Sequence, residues 1–363
     1  MFRNRITTWY LGAVLLTAIV LVAMGGSVAL ADFTFGEPTN LGPSINGPAM
    51  DAGPCPSADG KQLYFNLWLG MASQIWVSQR AAIDSAWEPP LRLGPPFDTE
   101  TDSGPFITSD GLSLYYDSSR EGGFGTSDLW VATRATVNDK WGTPVNLGAT
   151  VNTTSEDWAP NLSADGLELY FVSNRPDGFG TYDLWVTSRA TVKDDWGTPV
   201  NLGATLNTEY EDTWPGISAD GLVLFFCSSR PGGFGAWDLY MTKRPTRTDP
   251  WGPPSGLGPT LNSTVWQGGP KVSLDGSTLY FYSARPGGSG EADLWQAAII
   301  PTVDFSGDKK VDLVDLVMLI DNWGTNKTLC DIGPMPWGDG KVDIEDLKVF
   351  MTYYEKENPP AKP

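Results

Sequence analysis

The dipeptide Asp-Gly recurs along this chain at 59–60, 110–111, 165–166, 220–221 and 275–276, first 51 and then 55 residues apart. A segment that returns at such a period is one supersecondary unit, unable to bury its apolar face alone and obliged to stack on its neighbours. After each Asp-Gly comes a β-rich run: Leu63-Tyr64-Phe65, Leu114-Tyr115-Tyr116, Leu169-Tyr170-Phe171, Leu224-Phe225-Phe226 and Leu279-Tyr280-Phe281. Then follow Ile75-Trp76, Leu129-Trp130, Leu184-Trp185, Leu239-Tyr240 and Leu294-Trp295, and eleven residues later Trp87, Trp141, Trp196 and Trp251. Apolar and polar positions alternate between Gly-rich turns, which marks strands. Four strands, A to D, fit one repeat, and that is a propeller blade. The Asp-Gly pair suits a two-residue type I′ turn between A and B.

The fifth repeat supplies strands A to C and then stops. Its missing strand stands at the other end of the chain, where Phe35-Gly-Glu-Pro-Thr-Asn-Leu-Gly42 matches Trp141-Gly-Thr-Pro-Val-Asn-Leu-Gly148. The N-terminus is therefore expected to give the outer strand of the last blade, closing a five-bladed β-propeller and leaving no open edge. Gly (41) and Pro (29) are plentiful and only 18% of residues are charged, which suits a mainly β fold rich in turns.

Arg3 and Arg5, the apolar run Leu11 to Met24, and Ala29-Leu30-Ala31 read as a signal peptide over 1–31. The expected order is then a propeller over 32–300, a calcium-binding domain over 301–357 and a tail over 358–363. Export places the protein outside the cytoplasm, secreted, periplasmic or at the cell surface. No further membrane span is expected after cleavage. The net charge of −19 repels nucleic acid and anionic lipid. Cys55, Cys227 and Cys330 are odd in number and widely spaced, so they give no disulfide framework, and Cys227 reads as a core residue. The absence of histidine excludes a Ser-His-Asp triad, a Cys-His dyad and a His-ligated zinc site, leaving carboxylates as the acid–base groups.

Two acidic patterns follow the repeat. Arg120, Arg175, Arg230 and Arg285 each stand eight residues before Asp128, Asp183, Asp238 and Asp293, while the first repeat lacks the Arg and has Gln74 in the Asp place. Joint loss points to a buried pair across the B–C hairpin. Asp51, Asp102, Asp157 and Asp212 each precede a proline by three residues, with Gln267 in the fifth repeat and Glu156 and Glu211 beside two of them. On strand A they are expected to ring one channel mouth, as turn caps, a binding ring or, least favoured, catalytic acids. A glycosidase needs two carboxylates in different environments, whereas these are near-equivalent by repeat and no blade is uniquely decorated.

The C-terminal part carries a loop of a different kind. Residues 304–315 place Asp304, Ser306, Asp308, Asp312 and Asp315 at positions 1, 3, 5, 9 and 12, with the Lys310 carbonyl at 7, the ligand spacing of a calcium loop. Lys309 at position 6 replaces the usual Gly and is expected to strain the turn. Leu313, Leu316, Val317 and Ile320 read as the packing face of the next helix. A second copy has Asp339, Lys341, Asp343 and Asp346 at 5, 7, 9 and 12. Met335 and Trp337 stand where ligands 1 and 3 belong, and Asp331 is a substitute by a longer path.

The run Ser173 to Trp185, Ser-Asn-Arg-Pro-Asp-Gly-Phe-Gly-Thr-Tyr-Asp-Leu-Trp, resembles the WD40-like repeat of the TolB type, above all the version in outer-membrane OmpA-type proteins; the likeness covers 35–298. It implies protein or cell-envelope binding and no reaction. The paired loops over 302–356 resemble a dockerin, which implies Ca2+ and a cohesin-like partner, although Leu313, Val314, Ile344 and Glu345 replace the hydroxyl residues usual at positions 10 and 11. The function expected is a non-catalytic binding or scaffold propeller for a protein or a carbohydrate. The alternative is a polysaccharide-degrading glycoside hydrolase of the five-bladed type.

Overall fold

The computed structural model describes residues 33–70, 72–97, 101–327 and 329–359; the expected signal peptide lies outside them. Five antiparallel sheets stand around one axis, each built from consecutive strands in the order A to D. Strands A are Met50–Pro56, Ser103–Ile107, Asp157–Leu162, Asp212–Ile217 and Gln267–Val272. Strands B and C bury Leu63, Leu114, Leu169, Leu224 and Leu279 between neighbouring blades, all at 0% exposure. Outer strands D are two residues each, as at Val145–Asn146.

The two ends of the propeller meet in blade 5. Strand β1 (Phe33–Phe35) pairs with Ile299–Pro301, and β2 (Thr39–Asn40) pairs with Trp295 and Gln296. Asn40 faces Trp295 in the register by which Asn146 faces Trp130 in blade 2. The N-terminal segment is thus the fourth strand of the last blade.

Each strand A carries a β-bulge, after Ala52, Ser103, Trp158, Thr213 and Gly268. The residue following takes positive φ: Gly53 (59°), Gly104 (56°), Ala159 (51°), Trp214 (53°) and Gly269 (61°). At Gly104 a Cβ would fall 2.4 Å from Asp117 Oδ1, so that bulge needs glycine. Trp214 adopts the same backbone at a strain cost, of the kind that marks a working site.

The A–B turns differ from expectation. Gly60 N–H closes onto Ser57 O at 2.9 Å, and Asp59 accepts from Ser57 Oγ and Lys61 N–H. Only the glycine has positive φ, so this is a four-residue Asx-type turn rather than a two-residue I′ turn, which needs positive φ twice. In blades 1–4 an arginine at the end of strand C clamps it. Arg80, Arg134, Arg189 and Arg244 each donate to the Asp-Gly carbonyl and lie 4.1–4.4 Å over Trp87, Trp141, Trp196 and Trp251.

Blade 5 has Ile299 at that point and no Trp. Its turn is covered by the C-terminal module instead, where Met335, Pro336 and Trp337 pack on Gly276. Trp337 Nε1 donates to Asp220 Oδ2, and its ring meets Phe33 at 5.6 Å. The single-turn α1 (Gly258–Leu261) lies in blade 4; the module contributes α2 (Leu313–Asp321) and α3 (Ile344–Glu357). Its own core joins Phe305, Val311, Leu319, Cys330, Ile332, Val342 and Phe350. The expected packing face of α2 is corrected: Leu313, Val317 and Ile320 are more than half exposed, while Asp315 and Leu319 turn inward. No helix among the described residues is long and apolar enough to cross a membrane.

Candidate functional site: the aromatic mouth

Two short side chains per blade hold the D–A and B–C loops around one end of the channel. Asn152 returns both hydrogen bonds of Leu129 and donates to Asn146, and Asn46, Asn207 and Asn262 serve their blades likewise. Asp128 accepts from Phe124 and Gly125 N–H and from Asn146 Nδ2, a pattern that Asp183 repeats. The hairpin acids therefore hold backbone donors, and the expected Arg pairing across the hairpin is corrected.

The arginines pair with strand A. Arg120 Nη2 meets Asp102 Oδ1 at 2.7 Å, Arg175 meets Asp157 at 2.5 Å, and Arg230 meets Asp212 at 2.6 Å, with the Asp side chains fully buried. Each guanidinium also lies between two rings, as Arg175 does between Phe171 and Trp185 at 5.0 Å from both. Asp157 and Asp212 accept in addition from Thr153 and Thr208 at the start of their loops. Asp51, in the blade without the Arg, is also buried; it accepts from Gly47 N–H, and burial lifts its pKa to about 7. Arg285, in the blade with Gln267, donates to Leu261 O. The four aspartates are thus placed behind the mouth and tie its loops; they do not line it.

What lines the mouth is aromatic. Five rings run edge to face across blades 3, 4 and 5: Tyr182–Trp158 (5.6 Å), Trp158–Trp214 (5.3 Å), Trp214–Tyr282 (5.7 Å) and Tyr282–Trp266 (5.6 Å). A Cβ on Gly53 would stand 3.3 Å from the Trp214 ring, so this tryptophan spans the channel from blade 4 to blade 1 and plugs it. Trp158, Tyr182 and Trp266 are half-buried. Tyr182 Oη and Thr126 Oγ1 donate to the two oxygens of Glu156, and burial together with that carboxylate pushes the Tyr182 pKa up. Glu211 stands close enough to add to the same shift.

These rings stand at positions that differ from repeat to repeat, so the repeat itself points to the recurring Asp and not to them. The positions around it read Met50, Thr101, Glu156, Glu211 and Trp266 just before, and Gly53, Gly104, Ala159, Trp214 and Gly269 two after. Blades 3–5 are decorated individually, contrary to the expectation of equivalence. Under the array, Asp117 of blade 2 accepts from Ala159 N–H at 3.0 Å, and burial raises its pKa to about 7.

In the C-terminal module, Asp304 accepts N–H groups from Gly307, Asp308 and Lys309, and Asp315 from Ser306 and Asp312. Asp331 accepts from Asp339 and Gly340, and Asp346 from Ile332, Gly333 and Asp343. Asp331 thus holds in the second loop the place of Asp304 in the first, receiving the amides of positions 5 and 6. Lys309 at position 6 has φ 71°, where Gly340 has 93°. Asp308 and Asp339 accept from Lys310 and Lys341 N–H, and Asp312 and Asp343 cap α2 and α3. The donors are carboxylate, hydroxyl and carbonyl oxygens, the chemistry of a hard divalent cation. In this conformation the carboxylates turn onto backbone amides, and among the described residues no three acids converge as a preformed metal cluster.

No family profile and no curated protein matches the chain. Solved structures do. A protein described as TolB from Agrobacterium tumefaciens aligns at TM-score 0.45 and 19% identity over 70% of this chain and 79% of its own. TolB from Acinetobacter baumannii aligns at 0.43 and 15% over 69% of this chain and 54% of its own. The α-L-arabinofuranosidase of Podospora anserina, solved with cellotriose, aligns at 0.48 and 13% over 74% and 98%.

Proposed function

We propose that the chain is an exported glycan-binding propeller, holding a saccharide on the aromatic mouth and carrying a calcium-stabilised module at its other end. The array Tyr182–Trp158–Trp214–Tyr282–Trp266 carries this reading. The C–H face of a pyranose is apolar and its rim is hydroxyl, so a ring face flanked by acceptors suits it. Glu156 and Glu211 supply those acceptors at the rim. The strand-A aspartates act at one remove, by fixing the loops that bear the rings.

The module's exposed Leu313, Val314, Val317 and Ile320 form an apolar surface suited to a protein partner, in the place where a cohesin-like or cell-envelope component would dock. Calcium would be held by Asp304, Ser306, Asp308, Lys310 O, Asp312 and Asp315 in the first loop. In the second it would be held by Asp331, Asp339, Lys341 O, Asp343 and Asp346.

Affinity gel electrophoresis with soluble xylan, arabinan and β-glucan tests the binding. At least one should retard the chain, and Trp158→Ala or Trp266→Ala should each weaken retardation by about tenfold, the loss of roughly 1.4 kcal/mol per ring. No retardation by any glycan, or retardation untouched by both substitutions, overturns the reading. One feature favours the hydrolase instead: Asp117 is buried against Ala159 of the strand that carries Trp158, and burial raises its pKa to about 7. Released oligosaccharides that vanish in Asp117→Asn would establish it.

A further inference from the structure

Below the Trp214 plug the five strands A present one equivalent side chain each, and these are Cys55, Phe106, Asn161, Gly216 and Lys271. All but Gly216 belong to the wall of a cavity of about 430 Å3 that opens between the A–B turns and draws its lining from all five blades. That volume lies within the roughly 300–1,000 Å3 of small-molecule sites. The framework around the cavity repeats fivefold while these five residues share no chemistry. Asn161 Oδ1 accepts from Ile217 N–H and Gly216 leaves room for Pro270 O, so part of this variety serves the ring, while Lys271 brings a buried charge that none of the other four shares.

Lys271 is 4% exposed. Its Nζ donates to Pro215 O at 2.7 Å and lies 5.9 Å from the centroid of Phe106. Among the described residues no carboxylate stands at ion-pair distance from it. The charged and titratable groups of the lining are Cys55, Asp110, Tyr115, Asp165 and Arg189. Asp165 is bound by Arg247, Asp110 holds the Thr108 hydroxyl, and Arg189 lies on Trp196. Cys55 is buried, and burial raises its pKa, which keeps it a neutral thiol. A buried amine facing an open cavity without a counter-ion destabilises the ring, and an incoming anion removes that cost.

We propose that this cavity binds a small ring-bodied carboxylate of the hexuronic acid class, with the carboxylate paired to Lys271 Nζ. Phe106, Leu162, Ile217 and Val272 supply an apolar wall for the ring, and the Asn161 amide supplies a polar contact for a hydroxyl. A proton signature follows. Burial pulls the Lys271 pKa down to about 7, so above that pH the empty site holds a neutral amine. A carboxylate favours the ammonium, and binding then takes up a proton from solvent.

Titration calorimetry at pH 8 on the intact chain, in phosphate and again in Tris, reads this directly, since the two buffers differ widely in ionisation enthalpy. Galacturonate should bind with an uptake approaching one proton, and galactose should give no heat. Lys271→Met should weaken galacturonate at least tenfold, while Lys140→Met, an exposed charge removed from blade 2, should not. Absence of galacturonate binding, binding without proton uptake, equal binding of galactose, or unchanged affinity in Lys271→Met each overturns the assignment. Should Lys271→Met fail to fold, the proton count on the natural chain decides alone. The glycan test at the aromatic mouth uses neutral polymers, so either site can fail without the other.

Discussion

At Asp117 the repeat provides four controls. The equivalent positions carry Asn66, Val172, Cys227 and Tyr282, all buried against the bulge of strand A. Asn66 shows that an amide fits where Asp117 sits. Burial raises the Asp117 pKa from 3.8 to about 7, so the folded chain keeps a proton that the unfolded chain releases between those values. Stability from this group is therefore lost as pH rises from about 4 to 7, by up to ~4 kcal/mol at 1.36 kcal/mol per pKa unit. Asp117→Asn should flatten that fall in thermal midpoint between pH 4 and 8; an unchanged slope would show Asp117 to be ionised in the fold. Asp51 acts in the same direction and leaves a residual slope. The arginines show the limit of spacing as a guide. Arg120, Arg175 and Arg230 each have one acid eight residues on and another 18 residues back, and spacing alone favours the nearer. The fold gives the nearer acid to loop amides and the farther one to the guanidinium, because strand A lies beside strand B and the acid at its entry faces the arginine at the exit of B.

Periodicity carries well at the level of elements because strands and turns answer to local chemistry. The four-strand blade and the closing N-terminal strand were legible from the repeat alone, since one missing strand and one surplus segment matched residue for residue. Turn type was not, because Asp-Gly serves both a I′ turn and an Asx turn, and the choice rests on Ser57 and its counterparts two residues earlier. The α2 stripe misled for another reason. Three apolar residues on a helical face indicate packing only when something covers them, and α2 reaches the module core through Leu316, Met318 and Leu319 instead. Removal of residues 32–42 should lower the thermal midpoint of the whole propeller. It strips β1 and β2 from blade 5, unpairs Ile299–Pro301, and takes Phe33 from the cluster that holds Trp337. A variant melting within a degree or two of the parent would mean that the ring closes without them.

On the scale of the molecule, the second calcium loop and the fifth blade explain each other. The loop lacks side-chain ligands at positions 1 and 3 because Met335 and Trp337 cover the turn that has neither arginine nor tryptophan of its own. Asp331 would stand in for the first missing ligand, since it accepts the amides that Asp304 accepts in the first loop. A cation bound in that loop would thereby be tied to blade 5, whereas the first loop carries the exposed Ser306 and Asp308. A ligand that binds only the folded form stabilises it by about 2.7 kcal/mol at 100 times its Kd. Scanning calorimetry of the full chain, in calcium and then in chelator, should therefore show calcium raising the midpoint. Asp304→Ala should remove the part of that rise which belongs to the module. Asp331→Ala should remove part of the propeller's as well, and Trp337→Ala should split the melt into two transitions, with calcium moving only the smaller. No response to calcium in the parent sinks the metal assignment. Equal effects of Asp304→Ala and Asp331→Ala on the propeller transition would sink the coupling.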